Sequence, residues 1–498
     1  MIELHPNSYQ AYALMHEGVL ALARAEMQGF RVDVDYVFRK KEHLKRKIVR
    51  LEEKFKDTDF YKGWEKAMRG KKVNINSPTQ LGHYLYNVMG IEPVKYTEGG
   101  KAGGNKKGAT DEEALKQLDI PELNILLEKG KIKKTIDVLE GFYNEQIDGF
   151  IHPFYNLHTV RTFRSSSDSP NFQNTPKRDE EQMKICRRAI FPRLGHQLME
   201  IDFGQLEVRI SACYNKDEKL INDILHGDMH ADMATEIFMI DAIETKLNSQ
   251  NKVTKSGHKN LRQAAKNGFV FPQFYGDYYK NCVQNIAMNW CKLPQGKWSY
   301  GQGIVIDEIG KSFRQYHISD HLISKGIKEY GKIVRTEMGT KVTGFLRHVQ
   351  KIENSFWNQR YTQYRDWKEV HFEEYQKRGY IDTLTGFRCS GVMRKNDVSN
   401  YPVQGAAFHC LLWSLIQTDK FIYELAKLDT RIIGQIHDSL ILDVNPNELE
   451  LVAKTIHRIT TKDLLEHWNW IILPLEVGVD LFQVDGSWVD KVEEFKLN

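Results

Sequence analysis

Residues 431–446 read RIIGQIHDSLILDVNP. Two apolar runs, one with Ile432, Ile433 and Ile436 and one with Leu440, Ile441, Leu442 and Val444, are parted only by His437–Asp438. A two-residue polar break between such runs predicts an antiparallel hairpin with the pair at its tip. A lone carboxylate among buried apolar side chains would be costly to desolvate, so Asp438 must meet water or positive charge there. QLMEIDFGQLEVRI (197–210) carries a similar signal. Leu198, Met199 and Ile201 predict a strand that stops at Asp202, Gly204 breaks it, and QLEVRISACY begins a helix. Taken singly, either Asp is an ordinary turn residue. Together, two strand-end carboxylates 236 residues apart could hold one pair of hard cations. Mg²⁺ uses few protein carboxylates and leaves room for substrate phosphates. Two such ions about 3.5–4 Å apart can clamp the attacking and leaving oxygens of a phosphoryl displacement.

The chain is long enough, at 498 residues, for two or three subdomains with their own cores. Its net charge of +4, from 70 basic and 66 acidic side chains, permits a nucleic-acid partner without demanding one. No apolar run approaches the roughly 18 residues that a spanning helix needs, and no membrane role is expected. MIELHPNSYQ is not a signal peptide. The six cysteines contain no Cys-x-x-Cys pair, which argues against a zinc or disulfide framework and for a reducing, cytosolic setting.

Residues 9–72 read as helices broken at Gly29. The second run interleaves Arg39, Lys40, Lys41, Lys45, Arg46, Lys47 and Arg50 with Glu42, Glu52 and Glu53. That pattern suits an ion-paired face or a helix lying along phosphates. Ser77–Pro78 predicts an N-cap with proline in the first turn. The Gly/Lys stretch within 97–115 predicts a loop, either a plain linker or a basic flap, followed by a Thr110–Glu113 capping box. Residues 240–262 and 282–360 are expected to be mainly helical.

In LRQAAKNGFVFPQFYGDYY (261–279), Arg262 and Lys266 are four apart and share a helix face, and Phe269, Phe271, Phe274 and Tyr275 follow. Cations suit a triphosphate and aromatic faces suit a base. RTFRSSSDSPNFQNTPKR (161–178) offers Arg164, Asn171, Gln173 and Asn174, and SNYPVQGAAFHCLL (399–412) offers Asn400 and Gln404. Donors of this kind can read the minor-groove acceptors common to both base pairs.

Taken together and in chain order, the segments resemble the polymerase region of family A DNA polymerases, the bacterial DNA polymerase I type, over roughly residues 9–490. IDFGQLEVR is similar to that family's DYSQIELR motif, RQAAKNGFVFPQFYG to its fingers helix and GQIHDSL to its QVHDE motif. TFRSSSDSPNFQNTP is similar to TGRLSSSDPNLQNIP. DMHADMATEIF, GYIDTLTGFR and NYPVQGAAFH follow the same order, and the chain looks closest to the bacteriophage branch. The resemblance implies an α+β, right-hand polymerase fold with a mainly antiparallel palm sheet and helical thumb and fingers. It implies a thumb and N-terminal helical region over 1–160, palm over 161–225 and 381–498, and fingers over 226–380 with an insertion near 282–350.

By the same resemblance, Asp202 and Asp438 would bind two Mg²⁺, with Mn²⁺ able to substitute and the Phe203 carbonyl as a further ligand. Arg262, Lys266 and His230 would hold the triphosphate of a dNTP, with Lys266 as the acid for pyrophosphate departure. Phe271, Tyr275 and Gln205 would complete the dNTP site. Glu207, held by Tyr275, would exclude a ribose 2′-hydroxyl. Arg164, Asn174, Gln404 and Asn400 would contact primer–template DNA, and His437 would lie under the primer terminus. A monomer acting in the cytoplasm, a host's if phage-encoded, is expected. A separate exonuclease or replisome proteins are candidate partners.

Four positions depart from the family pattern. Lys266 to Tyr275 spans nine residues, one more than usual; Phe271 is preferred over Val270 for the aromatic position because Pro272 marks a place to absorb the extra residue. Ser439 stands in place of Glu, Asn396 in place of Arg, and Phe163 in place of Gly. No acidic Asp-x-Glu cluster precedes the thumb-like segment, so no 3′→5′ exonuclease activity is expected of these residues. The competing readings are a metal-dependent nuclease, a catalytically silent DNA-binding replisome protein and a single-subunit RNA polymerase. The triphosphate-type helix disfavours the first, the intact Asp pair the second and Glu207 the third.

Overall fold

The computed structural model describes residues 3–93, 96–97, 107–118, 120–176, 179–240, 256–290, 305–307, 315–336 and 339–492. They form two compact units. The first comprises Met1–Ile48, Lys131–Ile221 and Gln363–Asn498, and the second Val49–Gly130 and Asn222–Thr362. The chain passes between the units at 48/49, 130/131, 221/222 and 362/363.

The first unit is built on a four-stranded antiparallel sheet. Its strands are β1 (Gln197–Phe203), β2 (Arg431–Ile436), β3 (Ser439–Val444) and β4 (Val477–Leu481), in the order β2-β3-β1-β4. One-residue alternation sends Met199, Ile201 and Phe203 into the main core and Leu198, Glu200 and Asp202 to the other face. The core face is covered by the helix Lys395–Lys420, whose Ala406, Leu411, Leu412 and Leu415 are buried with Leu440 and Leu442. Each such leucine, fully buried, contributes roughly 1.5–3 kcal/mol. The helix Tyr9–Gln28 comes so close that a Cβ built on Gly18 would sit 2.9 Å from Leu412 Cδ1. Gly29 ends that helix at φ +66°.

The second unit is mainly helical. Phe55, Phe60, Trp64, Tyr84 and Leu85 make one core, with Trp64 stacked on Tyr84 at 6.0 Å. Ser77 accepts from the Gln80 amide at 3.2 Å with Pro78 next, as expected. The cap of the helix Glu112–Gln117 is Asp111, not Thr110. Asp111 Oδ1 accepts from the Ala114 amide at 2.9 Å, while the Thr110 hydroxyl reaches the Pro78 carbonyl. The Gly/Lys loop at 98–106 and residues 241–255 lie outside the described residues.

The mainly helical expectation for 282–360 holds for most of its described residues, in Tyr279–Trp290, Ile318–Ser324, Gly344–Ser355 and Phe356–Arg360, but short strands that it did not foresee interrupt the helices. Strands Ile333–Thr336 and Gly339–Val342 form a hairpin, and Val305–Asp307 pairs with Gln315–His317. IVRT is β-branched at three of four positions, which favours a strand where helical periodicity is weak. Among the described residues, no helix is long and apolar enough to cross a membrane.

Candidate active site

In the first unit, β2 and β3 are joined by His437–Asp438 alone, as their spacing predicts. His437 is exposed and takes φ +52°, and Asp438 is half-buried. Ser439 at the start of β3 pairs with Asp202 on β1, and the Phe203 amide donates to the Asp438 carbonyl at 3.2 Å. The two aspartates therefore sit at the same end of neighbouring strands, with Asp202 exposed. The donors Asp202, Asp438 and the Phe203 carbonyl are all oxygen, which suits a hard cation such as Mg²⁺. Among the described residues, no group of three or more His, Cys, Asp and Glu side chains is arranged so that it could hold a metal ion. Two carboxylates with positions left for phosphate and water match the way Mg²⁺ is held at phosphate sites.

The turn after Asp202 is braced from behind. The Gly204 amide donates to the Glu476 carbonyl at 2.8 Å. Buried Arg209 donates to the carbonyls of Gly204 (3.2 Å) and Pro474 (2.6 Å) and pairs with Glu476 at 2.7 Å. Gln205 is exposed at φ +52° and opens the helix Leu206–Asn215, which carries Glu207 in its first turn. Glu207 pairs with Arg164; Asp168, the obvious alternative partner for that arginine, accepts from Asn156 at 2.8 Å.

A polar network missed at the level of sequence fixes the hairpin. Gln435 is buried in β2, and its side chain donates to the His437 carbonyl. Its Oε1 accepts from Ser165 at 2.6 Å and Gln173 at 2.9 Å, and its amide donates to the Tyr155 hydroxyl at 3.1 Å. The 161–178 loop and the His–Asp hairpin are thus one hydrogen-bonded assembly. The available signal was a glutamine inside an apolar strand, which has to find partners. Asn174 ends the short helix Phe172–Asn174, which Asn171 caps.

On the helix Lys395–Lys420, Asn396, Asn400 and Gln404 recur every fourth residue and so share one face. Gly405 lets the 161–164 loop approach: a Cβ there would lie 3.1 Å from the Thr162 carbonyl and from Phe163. Phe163 occupies a left-handed conformation, φ +60°, at the position where the resembling family has glycine. Burial against Phe387 (5.4 Å) and His409 (6.0 Å) offsets a backbone cost of order 1–3 kcal/mol.

In the second unit, Asp228 caps the helix Met229–Phe238, accepting from the amides of His230 (3.2 Å) and Ala231 (3.1 Å). The same carboxylate accepts from Arg262 Nε at 2.6 Å. His230 is 1 % exposed, and neither ring nitrogen has a hydrogen-bond partner among the described residues. Burial, reinforced by the charges of Arg262 and Lys266, pushes its imidazole down to about 3. Phe271 meets His230 edge-to-face at 5.8 Å, and Lys266 Nζ lies 5.0 Å from the Phe271 ring centre. A helix N-terminus, two cations and a neutral histidine thus gather around the Asp228 carboxylate, which already caps the helix and pairs with Arg262.

The helix Ser256–Ala265 continues as a π-helical turn over Lys266–Val270 and a last turn, Phe271–Phe274. A π-turn absorbs one extra residue. The additional residue is therefore taken up just before Pro272 rather than at it. Val270 is fully buried, whereas Phe271 is half-buried on the side of Lys266 and His230, and Tyr275 is 41 % exposed.

The model of DNA polymerase family A matches residues 40–283 and 341–483. The chain belongs to this family. The unmatched stretch, 284–340, falls within the region read as an insertion. DNA polymerase I of Bacillus subtilis is 26% identical over 487 residues, covering 95% of this chain and 44% of that protein. The thermostable DNA polymerase I of Thermus aquaticus is 26% identical over 477 residues, covering 92% of this chain and 46% of that one. This chain therefore spans less than half the length of these relatives. Among solved structures, the POL domain of Pol1 from M. smegmatis, in complex with DNA primer-template and dNTP, matches with a TM-score of 0.69 at 22% identity. The match covers 95% of this chain and 70% of that one. That likeness shows a right-hand polymerase fold of mixed helices and antiparallel sheet.

Proposed function

We propose that the chain is a template-directed DNA polymerase that extends a primer 3′-hydroxyl with dNTPs by a two-metal-ion mechanism. The supporting observation is the placement of Asp202 and Asp438 at one end of adjacent strands, outside the packed core, in a member of this family. The solved relative's own complex with primer-template and dNTP names the substrates this reading carries over. Residues 161–225 and 381–498 would serve as palm, 226–380 as fingers, and 1–160 as thumb and N-terminal region.

Asp202 and Asp438, with the Phe203 carbonyl, would hold the Mg²⁺ ions. When bound, such ions acidify the primer hydroxyl and neutralise charge on the phosphates. Arg262 and Lys266 bind the triphosphate, and Lys266 protonates the departing pyrophosphate. Neutral His230 donates one hydrogen bond to the same phosphates without adding charge. Phe271 and Tyr275 stack at the nascent base pair, Gln205 lines the nucleotide, and Glu207 fills the space a 2′-hydroxyl would need. Arg164, Asn174, Asn400 and Gln404 read minor-groove acceptors, with His437 under the primer end. Arg164 releases Glu207 when DNA arrives. Base selection follows templated pairing and closure around a correct fit. Primer extension with dNTPs, set beside the same reaction with rNTPs, tests the reading. Extension with neither would refute it, and extension that prefers rNTPs would favour an RNA polymerase.

A further inference from the structure

The residue that departs most sharply from the family's catalytic motif, Ser439, has a specific partner. Ser439 is fully buried, and its hydroxyl lies 3.2 Å from Glu200 Oε1 and 2.9 Å from the Ile436 carbonyl. Glu200 is itself buried, two residues before Asp202 on the same face of β1. Its other oxygen accepts from Arg187 at 3.3 Å and from Trp488 Nε1 at 3.2 Å. The Arg187 guanidinium lies 4.1 Å from the Trp488 ring, and Trp488 stacks on Phe172 at 5.8 Å. A buried carboxylate this well surrounded is rigid, and a hydrogen bond to a charged acceptor is stronger than one between neutral groups. The bond from Ser439 crosses from β3 to β1 at the point where Ser439 faces Asp202 and follows Asp438.

We propose that Glu200 is a positioning residue for the Asp202–Asp438 pair, acting through Ser439. It does the work from the neighbouring strand that a glutamate after the His–Asp pair would do from its own. The inference rests on the polymerase reading of that pair. Its consequence is reciprocal. Glu at 439 would place a second carboxylate against Glu200 in a buried setting, where like charges repel strongly. Gln at 200 can turn its amide so that its oxygen still accepts from Arg187 and Trp488 while its nitrogen faces Ser439. Glu200→Gln is therefore expected to keep its fold, which its melting temperature checks.

The experiment is a four-member cycle: wild type, Glu200→Gln, Ser439→Glu and the double variant, with Asp438→Ala alongside. Each is measured for kcat and for KM of dNTP in primer extension, for Mn²⁺ binding by electron paramagnetic resonance without nucleotide, and for melting temperature. Glu200→Gln is expected to lower kcat and Mn²⁺ affinity about 10-fold with an unchanged KM, as changes behind a metal ligand do. Ser439→Glu is expected to lose about 100-fold in kcat, and the double variant to recover about 10-fold over it. A fully active Ser439→Glu, or a double variant no better than Ser439→Glu, overturns the proposal while wild type still extends and Asp438→Ala does not. If Asp438→Ala extends normally, the polymerase reading itself fails. Should Ser439→Glu not fold, Ser439→Ala replaces it. Ser439→Ala is expected to match Glu200→Gln in kcat and Mn²⁺ affinity, and wild-type values for both would refute the proposal.

Discussion

Gly434 lies in β2, three residues before His437, where the pairing with β3 shifts register. A Cβ added there would sit 2.3 Å from Phe30 Cζ and 2.8 Å from the Tyr155 hydroxyl. The first distance falls about 1.1 Å short of ordinary contact at 3.4 Å. Phe30 cannot yield easily, since it is fully buried and stacked on Phe172 at 4.1 Å. Tyr155 is held by the Gln435 amide. Gly434→Ala must therefore move β2. Overpacking of this kind costs about 1–3 kcal/mol. The strand carries the hairpin tip with it, and a 1 Å misplacement of reacting groups can cost about 100-fold in rate. Single-turnover primer extension at saturating dNTP and Mg²⁺, with calorimetry in parallel, is the assay. The expected result is a melting temperature a few degrees lower and a rate reduced about 100-fold. A wild-type rate together with wild-type melting would refute the claim that β2 fixes the tip.

Burial pushes His409 down to about 3, as it does His230 with help from Arg262 and Lys266. Both stay neutral in the folded protein while the unfolded chain takes up protons below its usual value of 6.5, so stability falls between about pH 6.5 and 3. His409→Gln should melt with a shallower acid dependence than wild type, and parallel curves would contradict this. With Phe rather than Tyr at 271, dideoxynucleotides should be poor substrates; uptake of ddNTP equal to that of dNTP would count against placing Phe271 at the nucleotide. Glu207→Ala should raise rNTP incorporation relative to dNTP by about 10-fold or more. No change in that ratio would remove Glu207 from the sugar site.

The hairpin, the strand through Asp202, which runs one residue further than expected to Phe203, and the spacing of Arg262 and Lys266 were legible because each rests on local periodicity. The strands within 305–342 were not, since their short β-branched runs carry no period. The extra residue before Tyr275 could be counted but not placed, because a π-turn has no sequence signature beyond the count. Glu200 and Gln435 signalled only that they need partners, not which ones. Each is a polar residue in an apolar strand whose partners, Ser439 and Trp488 for Glu200 and Ser165 and Gln173 for Gln435, lie more than 200 residues away in sequence. Phe163 looked like a loss of glycine, yet its left-handed backbone remains and its ring has been put to use in the core.

The most direct test of the central claim is Mg²⁺-dependent primer extension by Asp438→Ala beside wild type, both at the same melting temperature. The account predicts primer extension by the wild type and at least about a 1000-fold loss in the variant, as expected when a carboxylate that holds the reacting phosphates is removed. Full extension by Asp438→Ala would contradict it.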